Sequence, residues 1–295
     1  MKIGIAGMGK MGTVLAVRLA GLGHEVTVWN RTAAKTQAAQ QAGAKVAAKP
    51  RELAGSADII ISILTNAEAI DAAYEGKDGL LAGDIKGKLF IEMSTVRPVT
   101  EKALAAKLAG KEAAMIDCPV GGSVGPAREG KLFGFAGGAA ADVARAKPLL
   151  DQLCRRVEHV GPVGAGASMK LAINQPLLVY WQALGEALVL CKPLGLDPAR
   201  VMDILADTSG GPNVLKVRGP AIAKALIGED TGVITFDIDS IRKDLQTMIQ
   251  EAQALGGTLP VTARALECFD EASRDGLGKG DATLLPARWS KKSAH

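Results

Sequence analysis

The sequence predicts an α/β protein: a doubly wound parallel sheet in the N-terminal half, one long helix, and an all-α C-terminal domain. Three observations predict it. Short β-rich runs alternate with helical stretches from Lys2 to Val160. A glycine-rich turn, Gly7-Met8-Gly9-Lys10-Met11-Gly12, joins the first strand to the first helix. From Gly166 onward strands nearly stop and helical spacing takes over. This alternation at βαβ spacing is the pattern of a parallel sheet covered on both faces. The expected organisation is residues 1–163 as a nucleotide-binding domain, 164–193 as an interdomain helix, and 194–295 as a helical domain.

The elements follow in order. Lys2–Ala6 is a strand and Thr13–Ala20 a helix. Glu25–Trp29 is the second strand, Ala33–Ala42 a helix, and Lys45–Ala48 a short strand. Pro50–Gly55 is a helical turn opened by proline, which suits a first helical position. Ala57–Leu64 is a strongly apolar strand, and Lys88–Glu92 another. Pro98 opens a helix to Gly110, and Ala113–Cys118 is the next strand. A glycine-rich loop leads to strand Leu132–Ala136, helix Ala139–Leu153 and strand Arg155–Val160. Ala167–Lys192 is one long helix, with Pro176 in its first turns or kinking it. Pro198–Asp207, Asn213–Ala225, Asp239–Leu255 and Pro260–Gly276 are helices. The tail after Leu285 is expected to fray.

A length of 295 residues is too long for one typical core and suits two domains, or one large one. Aromatic residues make up only 3%, so the core must be packed with Ala, Leu, Val and Ile. A net charge of +4, with both signs interspersed, does not point to nucleic acid and suits a small anionic ligand. Cys118, Cys154, Cys191 and Cys268 are scattered, and the histidines are His24, His159 and His295. No metal site is expected, and a reduced, cytoplasmic protein is. The apolar run Leu171–Leu196 contains Asn174, Gln175, Pro176, Gln182, Glu186 and Lys192. That composition makes a lipid-facing span expensive, so no membrane association is expected.

The chemistry is carried by five places. In the first turn, Gly7 allows a tight bend, Gly9 lets backbone approach a pyrophosphate, and Gly12 lets helix pack on strand. Met8, Lys10 and Met11 complete that Rossmann-like loop at the helix N-terminus. The plainer reading is a strand–turn–helix with structural glycines. The second strand ends in Asn30-Arg31-Thr32 where a carboxylate would select NAD. Arg31 instead offers a guanidinium to a 2′-phosphate, which predicts NADP over NAD. As an alternative, Arg31 is a solvated loop charge. Leu64, Thr65 and Asn66 lie at the carboxyl end of a central strand, where open parallel sheets bind ligands. The loop Asp117-Cys-Pro-Val120-Gly121-Gly122-Ser123 leaves backbone amides open for a small carboxylate, or is an ordinary turn. Lys170 and Asn174 stand four residues apart on one helix face. A lysine in such a helix can also simply snorkel, and Lys243-Asp244 can be a surface pair.

Taken together and in this order, Gly7–Gly12, Asn30–Thr32, Glu92-Met-Ser-Thr95, Asp117–Ser123, Gly164–Asn174 and Lys243-Asp244-Leu245 resemble the β-hydroxyacid dehydrogenase family. That family includes 3-hydroxyisobutyrate dehydrogenase, tartronate semialdehyde reductase and glyoxylate/succinic semialdehyde reductases. The resemblance spans nearly the whole chain. It implies Lys170 as the catalytic acid/base and Asn174 as a substrate holder. It also implies residues 120–123 as the carboxylate site and Lys243 near the nicotinamide; in the reaction this suggests, Ser94 or Thr95 holds the nicotinamide ribose. A homodimer or homotetramer is implied as well. Two positions depart from the family pattern. Gly121 stands where serine is usual, with Ser123 two residues on, and Gln175 replaces the second of two asparagines. Both fall on the substrate side. An imine reductase carries Asp or Tyr in place of the lysine, so Lys170 argues against that alternative. A non-catalytic NADPH-binding protein would not need Lys170 and Asn174 together.

Overall fold

The computed structural model describes residues 1–292. The chain divides into two compact units, Met1–Ala172 and Ile173–His295. Unit 1 begins with β1 (Lys2–Ala6), α1 (Lys10–Gly21), β2 (Glu25–Trp29), α2 (Gln37–Gln41), β3 (Lys45–Val46), α3 (Pro50–Ser56) and β4 (Ile59–Ser62). Then come α4 (Ala67–Tyr74), β5 (Leu89–Glu92), α5 (Pro98–Ala109), β6 (Ala114–Asp117), β7 (Val120–Gly121) and α6 (Val124–Glu129). It closes with β8 (Leu132–Gly137), α7 (Ala140–Leu153), β9 (Cys154–Gly161) and the start of α8 (Ala165–Cys191).

The strands form one sheet in the order β3-β2-β1-β4-β5-β6-β8-β7, with β9 against β8. From β3 to β6 every pairing is parallel. That is the strand order of a dinucleotide fold, with its switch point between β1 and β4. Beyond β6 the sheet turns antiparallel through β8, and β9 returns parallel to it. The central strands are buried on both faces, which is why they read as unbroken apolar runs. Alternate residues go to opposite sides. Ile59, Ile61, Leu89 and Ile91 join Leu15, Leu19 and Leu150 on one face. Ile60 and Phe90 join Leu53, Ile70, Tyr74 and Leu104 on the other.

Two local features of unit 1 go beyond the elements expected from the sequence. After Asn66 the chain enters α4, which Asn66 caps, its Oδ1 accepting the Ala69 N–H at 3.0 Å. The glycine-rich loop contains β7 and α6.

Unit 2 holds most of α8, then α9 (Pro198–Ala206), α10 (Asn213–Ile227), α11 (Ile238–Ala254), α12 (Pro260–Ala272) and α13 (Leu284–Lys292). Proline opens α9 and α12, while Asp197 and Asp237 cap α9 and α11. Pro176 is not in the first turns of α8 but well inside it. It has no N–H to give the carbonyl of Ala172, the residue after which the units divide.

By length and composition alone α8 could cross a membrane. Two of its polar side chains, however, are bonded within unit 2. Gln175 Nε2 donates to Thr262 Oγ1 at 3.0 Å, and Gln182 Oε1 accepts from Trp289 Nε1 at 2.6 Å. Trp289 also shows why the expected fraying after Leu285 does not occur as far as residue 292. Its ring lies so close to Gly185 that a Cβ there would stand 2.3 Å from Trp289 Cδ1. Leu285 and Ala287 are buried, and Arg288 Nη2 donates to Asp275 Oδ2 at 2.6 Å. Residues 293–295 of that tail lie outside the described residues.

Candidate active site

The first turn separates its glycines by what surrounds them. Gly7 has φ +104°, and a Cβ on it would stand 2.2 Å from the Ile63 carbonyl oxygen. A Cβ on Gly12 would stand 1.9 Å from the Gly7 oxygen. Both positions are therefore dictated by the close approach of β1, β4 and α1. Gly9 is different: a Cβ there meets nothing within 4 Å. It opens α1, whose first turn has no side-chain cap and no acidic residue. Exposed backbone, uncapped N–H groups and a helix dipole together make a place for phosphate. Met8 contributes differently. Its side chain is buried in the core, and its N–H goes to Asn30 Oδ1 at 2.9 Å.

Asn30 also donates from Nδ2 to the Thr32 carbonyl at 2.9 Å. One side chain thus braces the glycine turn against the end of β2. Arg31 and Thr32 project from that end as exposed residues. Leu64, Thr65 and Asn66 follow β4, and Ser94 and Thr95 follow β5. The two loops are tied, because the Leu64 N–H donates to Ser94 Oγ at 2.7 Å. These segments all lie at the carboxyl edge of neighbouring strands.

Asp117 ends β6 and is fully buried. Its Oδ1 accepts the Gly164 N–H at 2.7 Å and its Oδ2 the Ala167 N–H at 2.8 Å. Three glycines make room for it. A Cβ on Gly137 would stand 2.4 Å from Oδ1, and one on Gly166 would stand 2.9 Å from Oδ2. Gly164 has φ +94°. Burial pushes the Asp117 carboxyl up, and the backbone N–H groups of Gly164, Ala167 and Gly166 oppose that rise. Asp117 therefore sits at the start of α8 as an anion does at a helix N-terminus.

The loop beyond it holds Val120, which is buried, and Gly121, Gly122 and Ser123. Gly122 has φ +119°, and a Cβ on it would meet Leu132 Cδ2 at 2.9 Å. At Gly121 a Cβ would find only ordinary contacts of 3.6–3.8 Å with Phe135 and Phe133. Packing demands glycine at Gly122 but not at Gly121. Ser123 is exposed, and its side chain does not cap α6.

Lys170, half-buried, and Asn174, buried, stand one turn apart on α8, the first in unit 1 and the second in unit 2. Within unit 2, Asn174 meets Lys243 through Asp244. Asn174 Nδ2 lies 3.4 Å from Asp244 Oδ2, and Lys243 Nζ lies 2.5 Å from Asp244 Oδ1. Lys243-Asp244 is therefore not a solvated surface pair, since Asp244 is only 4% exposed.

Residues 2–161 match the NAD-binding domain of 6-phosphogluconate dehydrogenase, and residues 164–287 match the NAD-binding segment of NADP-dependent 3-hydroxyisobutyrate dehydrogenase. A 3-hydroxyisobutyrate dehydrogenase of Pseudomonas aeruginosa is 33% identical over 93% of this chain and 95% of its own. The chain belongs to the β-hydroxyacid dehydrogenase family. Glyoxylate/succinic semialdehyde reductase 1 of Arabidopsis thaliana is 32% identical over 97% of each chain. The structure of Mycobacterium tuberculosis 3-hydroxyisobutyrate dehydrogenase with L-serine superposes with a TM-score of 0.85 at 26% identity. It covers 98% of this chain and 99% of that one. As a β-hydroxyacid dehydrogenase the protein uses a nicotinamide cofactor and acts on small hydroxyacids. The cradle at Gly9 and the uncapped α1 fit the phosphates of such a cofactor.

Sequence reasoning quoted Glu92, Asp117 and Asp244 within motifs but gave none of the three carboxylates a role of its own. The signal for Asp117 was the Gly164-x-Gly166 pair at the start of a helix. For Glu92 it was a carboxylate closing an apolar strand.

Proposed function

We propose that the protein is an NADP-dependent reductase of small aldehydes that carry a carboxylate, acting in reverse as a dehydrogenase of the corresponding hydroxyacids. One observation carries this reading. Asp117 ties the end of β6, from which the loop 120–123 departs, to the start of α8, which brings Lys170 within its next turn. A carboxylate-binding loop and a proton donor are thereby held in one register.

The bound cofactor supplies or accepts the hydride. The chain does the rest. The Lys170 ammonium donates a proton to the carbonyl oxygen and stabilises the charge developing there. In oxidation the neutral amine takes the hydroxyl proton back. Asn174 orients the substrate, with Asp244 holding Asn174 and Lys243 in place. The amides of Gly121 and Gly122 and the Ser123 hydroxyl receive the substrate carboxylate. Arg31 pairs with the 2′-phosphate, helped by Thr32. Gly9, Lys10 and Met11 would face the pyrophosphate, with Gly12 letting α1 close on the turn, and Leu64, Thr65, Asn66 and Thr95 would line the rest of the cofactor. In this assignment residues 1–163 serve the cofactor, 164–193 the chemistry, and 194–295 the substrate and self-association. We place the protein in the cytoplasm as a homodimer or homotetramer. Exposed Leu190, Val217 and Leu255 support self-association, which size-exclusion chromatography tests.

The decisive assay follows NADPH and NADH consumption against glyoxylate, succinic semialdehyde and tartronate semialdehyde. Turnover with at least one of them, faster with NADPH, is expected. Lys170→Met should lower kcat by about 10²–10⁴ while NADPH still binds, and near-normal turnover would remove Lys170 from the mechanism. Arg31→Ala should raise KM for NADPH and leave NADH unaffected.

A further inference from the structure

Glu92 closes β5 and is fully buried at the carboxyl edge of the sheet. Both of its oxygens are engaged. Ser62 Oγ, from the end of β4, bonds to Oε2, and the Ser94 N–H donates to Oε1 at 2.7 Å. Ser62 Oγ also bonds to Tyr74 Oη at 2.6 Å, and Ser94 Oγ receives the Leu64 N–H. The titratable groups bearing on Glu92 are Tyr74 from α4, Glu101 from α5 and Asp117 from β6. Glu101 has both oxygens buried without a hydrogen-bond partner.

We propose that Glu92 is a positioning residue for the cofactor, locking the Leu64–Asn66 loop to the Ser94–Thr95 loop so that both receive it as one rigid edge. The inference rests on the cofactor reading of those loops given above. Its geometry is a closed circuit: β4 through Ser62 to Glu92, Glu92 to the Ser94 backbone, and Ser94 Oγ back to Leu64 beyond β4. No other side chain need move for the two loops to be held together.

The lock depends on charge. Burial raises the Glu92 carboxyl to about 7, against the lowering bonds from Ser62 and Ser94, while Asp117 raises it further. Ionised, Glu92 accepts from Ser62 and Ser94, and both bonds are charge-assisted. Protonated, its O–H must donate to Ser62 Oγ, and Ser62 turns its hydrogen to Tyr74. The Tyr74–Ser62–Glu92 chain then runs in the opposite direction, and the Ser94 N–H keeps only a neutral acceptor. The lock is tight above that range and loosens below it.

The test is NADP⁺ binding by calorimetry without substrate, at pH 6 and pH 8, for wild type, Glu92→Gln, Glu92→Ala and Glu101→Gln. Wild type is expected to bind about tenfold more weakly at pH 6. Glutamine keeps the Ser94 acceptor and gives an N–H to Ser62, so Glu92→Gln should show at pH 8 nearly the weaker affinity of wild type at pH 6. Its own change with pH should be small. Glu92→Ala should be weaker still at both, and Glu101→Gln should follow wild type. If Glu92→Gln kept the full wild-type pH dependence, Glu92 would not be the lock. Equal affinity of Glu92→Ala and wild type would say the same. Glutamine is isosteric, so the result does not hang on whether the alanine variant folds. A chain that binds NADP⁺ in this pattern but reduces no such aldehyde overturns the proposed reaction and leaves the role of Glu92 standing. A chain that binds no NADP⁺ overturns both.

Discussion

The two units bury their carboxylates in opposite ways. In unit 1, Glu92 and Asp117 accept from backbone N–H and hydroxyl groups, and Glu101 has no hydrogen-bond partner. In unit 2, Asp281 bonds to the Arg218 guanidinium and to Thr235 and Thr283, while Asp244 takes Lys243. The consequence is a difference of sign. Burial raises all three carboxyls of unit 1, to about 7 in Glu92 and well above the usual range in Glu101. For Asp281 burial pushes upward too, but the Thr283 and Thr235 bonds and Arg218 outweigh it and hold the carboxyl below its ordinary value. Asp239, which is partly exposed, is held at about 2 by its bonds to Ser273, Lys279 and Arg242. The raised carboxyls gather at the ends of β5 and β6 and the start of α5, the edge at which open parallel sheets bind ligands. Lowered ones hold helices to one another.

The largest effect should come from breaking a paired acid. Asp281→Ala leaves Arg218 without its carboxylate and strips acceptors from Thr235 and Thr283, inside unit 2. A loss of about 3–5 kcal/mol in urea unfolding is expected. A loss below 1 kcal/mol would mean that Arg218 finds water instead, and that the pairing is not what holds α10 to the segment before α13.

Asp117→Asn comes next. Asparagine can accept with one atom, and its Nδ2 then faces an N–H at the start of α8. A loss of about 2–3 kcal/mol is expected for the unmatched donors. Because Lys170 follows within a turn, kcat should fall as well while the NADP⁺ affinity stays near wild type. Lost cofactor affinity with unchanged kcat would place Asp117 on the wrong side of the site.

The same contrast explains what could be read from the chain. β1, β4, β5 and β6 were legible because buried parallel strands announce themselves as short apolar runs between helices. Gly7 and Gly12 were legible because their spacing carries the tight turn and the close approach of helix to strand. The capping of α4 by Asn66 was present in the sequence, yet a ligand loop and an N-cap use the same residue type. What was hidden is what depends on partners far along the chain. Asp117 meets Gly164 and Ala167, 47 and 50 residues away. The helix Leu284–Lys292 is anchored by Trp289 on Gly185 and Gln182. No local pattern in Pro-Ala-Arg-Trp-Ser-Lys-Lys shows that.

Glu92 sharpens the comparison through pH. Its carboxyl is raised in the folded state, so its contribution to stability is fully present below the ordinary carboxylate value. That contribution is lost as pH rises through about 7. Asp281 and Asp239 run the other way: their contribution is present above the ordinary value and lost as pH falls through their lowered ones. Glu92→Gln should therefore match wild type near pH 4.5 and exceed it at pH 8, by about 2–4 °C in Tm. A variant less stable than wild type at pH 8 would show that the ionised carboxylate is fully satisfied by Ser62 and Ser94, and that its burial carries no penalty.

The smallest effect tests whether burial, rather than pairing, decides the sign. Lys147 and Asp151 on α7 bond through both carboxylate oxygens, at 2.7 and 2.6 Å, at i,i+4 spacing with the base first. The pair's geometry is as close as many in unit 2, but the side chains are 61% and 51% exposed. Water already solvates both charges and salt screens them, so joining them gains little over leaving them apart. Lys147→Ala should change stability by less than about 0.5 kcal/mol, and that change should vanish at high salt. If it matched Asp281→Ala in size, distance alone would set the strength of an ion pair here. The opposite behaviour of the two units' buried acids would then need a cause other than their removal from water.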